Sequence, residues 1–306
     1  MRNLRTDLAM ECFDGRDQGS MPGVHVNRWE TQGVTLTEVR VTDDEASRWL
    51  GKPQGRYLTL ECAAMRSRDA DARSAMATLL AEELGRLLPS SGDGCCLVVG
   101  LGNREITPDA LGPSVVDRTL VTRHLAGLDA LAGLRPVSAI APGVLGVTGI
   151  ETMELTESLV KLVGPAAVIC IDSLAARDSG RVGAAIQLTD TGIQPGAGVG
   201  NHRRALTRES VGAPVIAIGM PTVIHAATLA RDAFDWLNRE GGDGEQHEAA
   251  LGDMESALLG GAFGGMIVTP REIDTLIRDA ASVIASAVNR ALQPELSDAE
   301  IAALLE

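Results

Sequence analysis

Apolar residues follow two different periods in the first part of the chain. Residues Val34–Val41 and Tyr57–Cys62 alternate apolar and polar side chains, which predicts strands with one buried and one solvated face. Over Ser74–Leu88 the apolar residues recur every three or four positions, a spacing that places them on one face of a helix. We therefore expect two half-buried strands followed by a long amphipathic helix.

From Cys95 onward, short apolar runs alternate with amphipathic stretches. Runs that are apolar on both faces and separated by helices are typical of parallel strands that are covered on both sides. The pattern thus predicts an α/β protein with a mostly parallel, twisted sheet. The predicted strands are Cys95–Val99, Val137–Ile140, Val168–Ile171, Ala184–Thr189 and Val215–Ile218, and the predicted helices span Glu151–Val163 and Ile273–Leu292 and also follow Pro113 and Pro221.

Composition and charge exclude several classes of partner. The chain has 306 residues, enough for a large buried core, and 2% of them are aromatic. The 27 basic and 41 acidic residues give a net charge of −14, which repels nucleic-acid phosphates and anionic membrane surfaces. Glycines and prolines break the long uncharged run Ser210–Ala230, and Met1–Cys12 lacks the apolar core of a signal sequence. We expect a soluble, cytoplasmic protein with no membrane and no direct nucleic-acid binding.

Motif searches narrow the chemistry further. The five cysteines show no zinc-ligand spacing, so we expect reduced thiols rather than a metal site or disulfides. Neither a His-Glu-x-x-His motif nor a Gly-x-Ser-x-Gly elbow occurs, which disfavours zinc peptidases and serine hydrolases. The glycine-rich stretch Thr191–Asn201 lacks the lysine of a phosphate-binding loop. The two lysines, Lys52 and Lys161, are interpreted as compositional bias. No cofactor and no metal are predicted.

Two carboxylates are the strongest candidates for catalysis. Asp109 lies in the loop that leaves the Cys95–Val99 strand, and Asp172 ends the strand that contains Val168–Ile171. Ligands of parallel α/β sheets bind at the carboxyl ends of the strands. If both carboxylates face one cleft, the ionised one can activate water while the protonated one donates to a leaving amine.

Other interpretations of the same residues stay open. Asp109 has the position of a cap for the following helix, and Asp172 has that of an Asx turn before Ser173. Gly100 and Gly102 leave a non-enzymatic module that binds an anion or nucleotide as an alternative. An occupied anion site beside carboxylates that face away from each other would identify such a module.

Two histidines and one acidic stretch are weaker candidates. His202 and His225 follow loops that contain glycine or proline and are candidates for the cleft, whereas the other three histidines are interpreted as structural or solvated. Residues 238–256 carry one arginine, six carboxylates and four glycines. This composition predicts an acidic surface loop.

An ordered series of motifs makes the chain similar to a known family. Each motif alone is an ordinary glycine-rich loop, but their order along nearly the whole chain is specific. The motifs are RTDLAME at Arg5–Glu11, MPGV at Met21–Val24, GKPQGRYLTLE at Gly51–Glu61, VGLGNREITPDALGP at Val99–Pro113, PGVLGVTGIET at Pro142–Thr152, VICIDSLAAR at Val168–Arg177, TDTGIQPGAGVGNHR at Thr189–Arg203, VIAIGMPTVIHAAT at Val215–Thr228 and GGMIVTP at Gly264–Pro270. In these segments the chain resembles the germination proteases, endopeptidases of spore-forming bacteria that degrade small acid-soluble spore proteins.

The resemblance implies a fold and a catalytic pair. The implied fold is a three-layer α/β/α sandwich like that of the hydrogenase-maturation peptidases. The two proposed catalytic aspartates of this aspartic-type family match Asp109 in TPDALGP and Asp172 in IDSLAAR. In the maturation peptidases the corresponding loop binds nickel of the substrate, so a metal-dependent peptidase is the alternative. The chain departs from the family at His225, where an aspartate is expected, and at His202, where a lysine is usual.

The resemblance also implies maturation and assembly. Family members are homotetramers made as zymogens in the developing spore, which implies a location in the forespore and spore core. They cleave after an acidic residue followed by an apolar residue and alanine, an order that Asp7, Leu8 and Ala9 supply. Residues 1–7 are therefore expected to be a propeptide and residues 8–306 a single peptidase domain. We expect the segment around the cut to be mobile, because it is short, polar and near the terminus.

Overall fold

A computed structural model describes residues 6–14, 21–89, 94–125, 133–196, 203–238 and 266–305. The strands are β1 (Val24–Thr31), β2 (Val34–Val41), β3 (Gly55–Glu61), β4 (Cys96–Gly100), β5 (Val137–Ile140), β6 (Ala167–Ala176), β7 (Ala185–Thr189), β8 (Val215–His225) and β9 (Ile267–Val268). The helices are α1 (Ala9–Asp14), α2 (Asp44–Leu50), α3 (Ala70–Leu87), α4 (Leu111–Val116), α5 (Leu145–Thr148), α6 (Thr152–Val163), α7 (Arg208–Val211), α8 (Ala226–Asn238), α9 (Ile273–Leu292) and α10 (Asp298–Leu305). Within these ranges, no helix combines the length and the apolar character needed to cross a membrane.

The sheet is mixed, so the predicted α/β class is confirmed but the prediction of a mostly parallel sheet is wrong. The described strands lie in the order β1-β2-β3-β7-β8-β6-β4-β5, with β9 beside β8. β4 pairs in parallel with β5 and β6, and β6 pairs in parallel with β8. Antiparallel pairing joins β1 to β2, β2 to β3, β3 to β7, and β8 to both β7 and β9. The three-layer sandwich and the likeness to hydrogenase-maturation peptidases stay predictions.

Most predicted elements are confirmed, and the main differences concern two strands. β2, β5 and α9 have the predicted bounds, whereas β6 and β8 are longer than predicted. β8 continues past Pro221, where the sequence predicts the start of a helix. Proline has no N–H for a ladder and occurs in sheets mainly at edges or bulges. The register between β6 and β8 shifts after the pair Leu174 and Pro221, because Thr222 is an extra residue of β8 at this point. With this bulge beside the proline, β8 passes Pro221 without ending.

Apolar side chains cover both faces of the sheet. On one face, Ile169 and Ile171 of β6 pack with residues of α3 and α9. On the other face, Cys170 belongs to a cluster with α6 and α7, and Leu174 to a cluster with α1 and α2. Side chains alternate along a strand, so Asp172 shares the face of Cys170 and Leu174. The carboxylate therefore lies where these two clusters meet.

Candidate active site

A cavity of about 270 Å³ lies at the carboxyl end of β4 and β6. Asp109 and Asp172 both line it, so the structure brings the two predicted candidates to a common space. Asp7, from the N-terminal segment, lines the same cavity. In a simple anion-binding module the two carboxylates would face away from each other, whereas here both line the same cavity.

Asp109 is held on a tight turn in the loop that follows β4. A 3-10 turn ends at this residue, and the Thr222 hydroxyl of β8 donates to the Pro108 carbonyl at 2.8 Å. The Asp109 carboxylate accepts the Asn103 N–H at 2.7 Å, whereas α4 has no side-chain cap. Burial raises the pKa of Asp109, and the Asn103 N–H opposes this rise because it favours the ionised form.

Asp172 lies in the middle of β6 and not at its end, where the sequence places it. Its side chain accepts the N–H of the next residue, Ser173, at 2.9 Å, whereas an Asx turn uses the N–H two residues further on. The Asx-turn interpretation is therefore wrong, and the strand continues to Ala176. The residue is only 4% exposed. Burial, the charge of Asp109 and the charge of Asp7, in that order, raise the pKa of Asp172 well above its ordinary value. Asp172 therefore keeps a proton over a wider pH range than an exposed aspartate.

The N-terminal segment 6–14 is packed against this cavity. Leu8 and Ala9 are 0% exposed. Asp7 donates its N–H to the Ala175 carbonyl at 2.9 Å, and its carboxylate accepts the Ala175 N–H at 2.8 Å. Ala175 lies where the register between β6 and β8 shifts and beyond Ile171, the last residue of β6 that pairs with β4, so its backbone groups are available to Asp7. The expectation of a mobile segment is wrong for these residues, because backbone pairing and burial hold them.

Glu11 anchors the same segment. Its carboxylate is almost fully buried and accepts the Arg177 N–H at 2.7 Å and the Asp178 N–H at 2.9 Å. It also accepts a guanidinium N–H of Arg181 at 3.0 Å and the hydroxyl of Thr6. A buried carboxylate is stable only with such partners, and the three donors outside the segment, from Arg177, Asp178 and Arg181, fix it to the end of β6.

Two polar side chains that the sequence analysis does not assign to the site contact the segment. Lys52 Nζ and Gln187 Nε2 donate to the Asp7 carbonyl oxygen at 2.9 and 3.2 Å. Gln187 Oε1 accepts the Ala9 N–H at 2.8 Å. The GKPQG motif is the sequence signal that could have identified Lys52 as a residue of the site. Gln187 lies on β7, whose antiparallel pairing no local pattern reveals.

The weaker candidates do not join the carboxylates. His225 is buried as the last residue of β8 and is not among the residues that line the cavity. His202 lies outside the described residues, as does the acidic loop apart from Asn238. Arg203, at the end of the glycine-rich stretch, lines the cavity 4.0 Å from Glu151. This arginine brings a positive charge to a cavity with several carboxylates.

A contact between two glycines places Asp109 close to β6. In the first turn of α4, a Cβ on Gly112 would overlap the Leu101 carbonyl oxygen and lie 2.6 Å from the Ile171 carbonyl oxygen. A Cβ on Gly100 of β4 would in turn overlap the backbone of Gly112. Backbones approach this closely only where side chains are missing. The glycine pair therefore sets the distance between α4 and the sheet.

Replacing Gly112 with alanine is expected to destabilise the protein by about 1–3 kcal/mol, because the neighbouring backbone must move. Gly85 is the matched control, since it lies in a helix with nothing within 4 Å of its Cβ position. Gly85→Ala should stabilise the protein by roughly 0.5–1 kcal/mol. Thermal unfolding measures both changes, and effects of the same sign would contradict the packing argument.

Comparisons with known proteins show which family the chain belongs to. The family model described as germination protease matches residues 4–263. The chain belongs to the germination protease family. Proteins named germination protease from Caldanaerobacter subterraneus subsp. tengcongensis and Clostridium perfringens are 42% and 41% identical, over 99% and 97% of this chain and 98% and 97% of their own lengths. One from Priestia megaterium is 38% identical over 96% of this chain and 95% of its own length. The family resemblance is thus confirmed, and germination proteases are hydrolases.

Proposed function

We propose that the protein is an aspartic-type endopeptidase that initiates the degradation of small acid-soluble spore proteins during germination. The pair Asp109 and Asp172 carries this proposal, because both carboxyl groups line one cavity in a chain of the germination protease family. Amide hydrolysis needs a base that takes a proton from water and an acid that protonates the leaving amine. Two carboxyl groups that share one proton supply both.

The surroundings of the two residues favour different roles. Asp109 is the base, since burial raises its pKa less than that of Asp172 and the Asn103 N–H favours its ionised form. Asp172 is the acid, since burial and two nearby carboxylates favour its protonated form. Water gives a proton to Asp109 while its oxygen attacks the carbonyl carbon, and Asp172 gives its proton to the nitrogen as the C–N bond breaks. Because the two groups interact, they titrate as one pair.

The contacts of Asp7 support cleavage after an acidic residue. Its carboxylate accepts the Ala175 N–H at 2.8 Å, a contact that an apolar side chain could not make. Leu8 and Ala9 follow in buried positions. The proposal therefore includes cleavage between Asp7 and Leu8, which removes residues 1–7 from a zymogen.

N-terminal sequencing after incubation tests this proposal. The wild-type chain is expected to yield Leu8 as a new first residue, whereas Asp109→Asn should retain Met1 because the base is missing. Processing at another bond, or unchanged processing of the variant, would contradict the proposed role of Asp109. A spore-protein peptide with asparagine in place of the acidic residue before the cut is the matched control. We expect it to be cleaved at least about tenfold more slowly, because one charge-assisted hydrogen bond is lost.

A metal-dependent peptidase remains the alternative to this mechanism. Among the residues that the structure describes, no group of three His, Cys, Asp or Glu side chains is arranged to hold a metal ion. Cleavage is expected to continue after exhaustive chelation. Stoichiometric zinc or nickel, with activity restored by that ion alone, would favour the alternative.

The proposal extends to assembly and location, which the family resemblance implies. We propose that the protein is a homotetramer located in the forespore and spore core, and that spore proteins are its substrates. Analytical ultracentrifugation of the purified chain measures the assembly directly. A monomer that cleaves spore proteins at full rate would remove the tetramer from the proposal.

A further inference from the structure

The carbonyl oxygen of Asp7 is the acceptor for two side-chain donors. Lys52 Nζ lies 2.9 Å and Gln187 Nε2 lies 3.2 Å from this oxygen. The carbonyl belongs to the Asp7–Leu8 peptide bond, the bond assigned above to zymogen cleavage. Two donors on one carbonyl, one of them a cation, are the arrangement that stabilises an oxyanion in acyl transfer.

The backbone around Lys52 holds this side chain in place. Gly51 ends α2 in the left-handed conformation, with φ of 75°. The Lys52 N–H then donates to the Ser47 carbonyl at 3.3 Å, and the Ser47 hydroxyl donates to the Lys52 carbonyl at 2.7 Å. Lys161, by contrast, is exposed on α6 and pairs with Glu157. The two lysines of the chain are therefore in different environments.

Strand pairing places Gln187 on the same face of the sheet as Asp172, two strands away. Asp172 of β6 and Gln187 of β7 are both in register with Gly219 of β8. Residues in register point to the same face of a sheet, and neighbouring strands lie roughly 4.8 Å apart. Gln187 and Asp172 thus flank a position that has no side chain. Gln187 also accepts the Ala9 N–H at 2.8 Å, so it fixes the chain on both sides of Leu8.

Asp7 separates the two groups of side chains. It lines the cavity of Asp109 and Asp172, and it also lines a second cavity of about 200 Å³ that contains Lys52 and Gln187. The acid and base thus share one cavity with Asp7, and the two donors share the other cavity with it. An attacking water and a developing oxyanion need separate sites of this kind.

We propose that Lys52 and Gln187 bind the carbonyl oxygen of the cleaved bond and stabilise the negative charge that develops on it. This inference rests on the proposed function, since it assumes that the Asp7–Leu8 bond is hydrolysed. As water adds to the carbonyl carbon, the C=O π electrons move to the oxygen, next to the Lys52 ammonium. As the C–N bond breaks, these electrons re-form the C=O bond of the new carboxyl group, and the Leu8 nitrogen gains a proton. In spore-protein substrates the same two side chains bind the carbonyl of the residue before the cut.

The test follows the first-order rate at which the full chain cuts its own Asp7–Leu8 bond. Lys52→Met should slow this rate about 100- to 1000-fold, the usual effect of losing one oxyanion donor. Lys52→Arg, which keeps a cationic donor, should recover most of the loss. Gln187→Met should slow the cut as well. Lys161→Met is the matched control and should cut at the wild-type rate.

Hydrogen exchange of the Leu8 and Ala9 amides separates charge stabilisation from simple anchoring. If Lys52→Met cuts slowly while these amides keep wild-type protection, the proposal stands. If protection and rate fall by the same factor, Lys52 only anchors the segment and the proposal is overturned. An unchanged rate in Lys52→Met overturns it as well.

Failure of the proposed function gives a different result. The wild-type chain could cleave a spore-protein peptide but not its own segment. In that case kcat on the peptide is compared between wild type and Lys52→Met. A lower kcat of the variant supports the proposal, and an equal kcat overturns it. If the wild-type chain cleaves neither substrate, the proposed function and this inference both fall.

Discussion

Replacing Asp172 with asparagine is expected to lower peptide cleavage at least about a thousandfold and, at the same time, to raise thermal stability at neutral pH. Activity falls because the amide cannot give a proton to the leaving nitrogen. Stability rises because the wild-type protein must bury a charge or take up a proton at this position. An asparagine has nearly the same shape and carries no charge.

The pH dependence of this gain has a definite sign. The folded pKa of Asp172 lies well above the unfolded value of about 3.9, so between the two values the folded protein binds more protons than the unfolded chain. The contribution of Asp172 to stability is therefore complete below the unfolded pKa and is lost as the pH rises through the folded pKa. The Tm of Asp172→Asn should approach that of wild type as the pH falls toward the unfolded pKa and should exceed it by a few degrees at pH 7.

Asp117 provides a matched control of opposite sign. Arg104 lowers the pKa of Asp117, so its stabilising contribution is present at neutral pH and is lost on acidification. Asp117→Asn should lower the Tm slightly at pH 7, because the pair is largely exposed, and should leave cleavage unchanged. A Tm difference between Asp172→Asn and wild type that stays constant from pH 4 to pH 7 would contradict the raised pKa.

Replacing Glu11 with alanine is expected to release the N-terminal segment from the end of β6. The substitution leaves the Arg181 guanidinium and two backbone N–H groups without their buried acceptor. Removing one partner of a buried ion pair costs about 3–5 kcal/mol. Hydrogen exchange of the Leu8 and Ala9 amides should therefore accelerate at least about a hundredfold.

Glu61 is the control for this prediction, because it accepts a second N–H of the same guanidinium at 2.8 Å. It is more exposed than Glu11, and Glu61→Ala should cost only about 1 kcal/mol. The exchange of the Leu8 amide should stay close to that of wild type. Equal acceleration in both variants would show that Arg181, and not Glu11, holds the segment.

Local sequence patterns are sufficient to predict a strand or helix when one face of it has the same surroundings along its whole length. The alternation in Val34–Val41 reflects one solvated face, and the apolar stripe of Ile273–Leu292 reflects a helix packed on a sheet. The pairing of strands is not visible in this way. Gln187 comes to lie near Asp172 only through Gly219, a residue of a third strand. The mixed character of the sheet depends on such distant pairings, which the sequence pattern does not contain.

The candidate site was predictable in its residues but not in its geometry. Asp109 and Asp172 stand out by position and by motif, and the structure places both at one cavity. The extension of β6 beyond Asp172 depends on pairing with β8 and on the bulge beside Pro221. The packing of the N-terminal segment depends on the contact between Glu11 and Arg181, which lie 170 residues apart in the chain. No local signal reports a contact over that distance.

The burial of Leu8 determines what a cut at its N-terminal side would do to the molecule. Its nitrogen would change from a neutral amide to a positively charged ammonium group, at a residue that is 0% exposed and packed in an apolar cluster with Leu50 and Leu174. In the intact chain this nitrogen donates to the Thr6 hydroxyl at 3.1 Å, a partner on the other side of the cut. After hydrolysis the ammonium group would lie beside the new Asp7 carboxylate, and two charges buried in an apolar cluster are stable only with further hydrogen-bond partners. The new chain ends would therefore separate and move toward water, and this rearrangement would be driven by the charges that the cut itself creates.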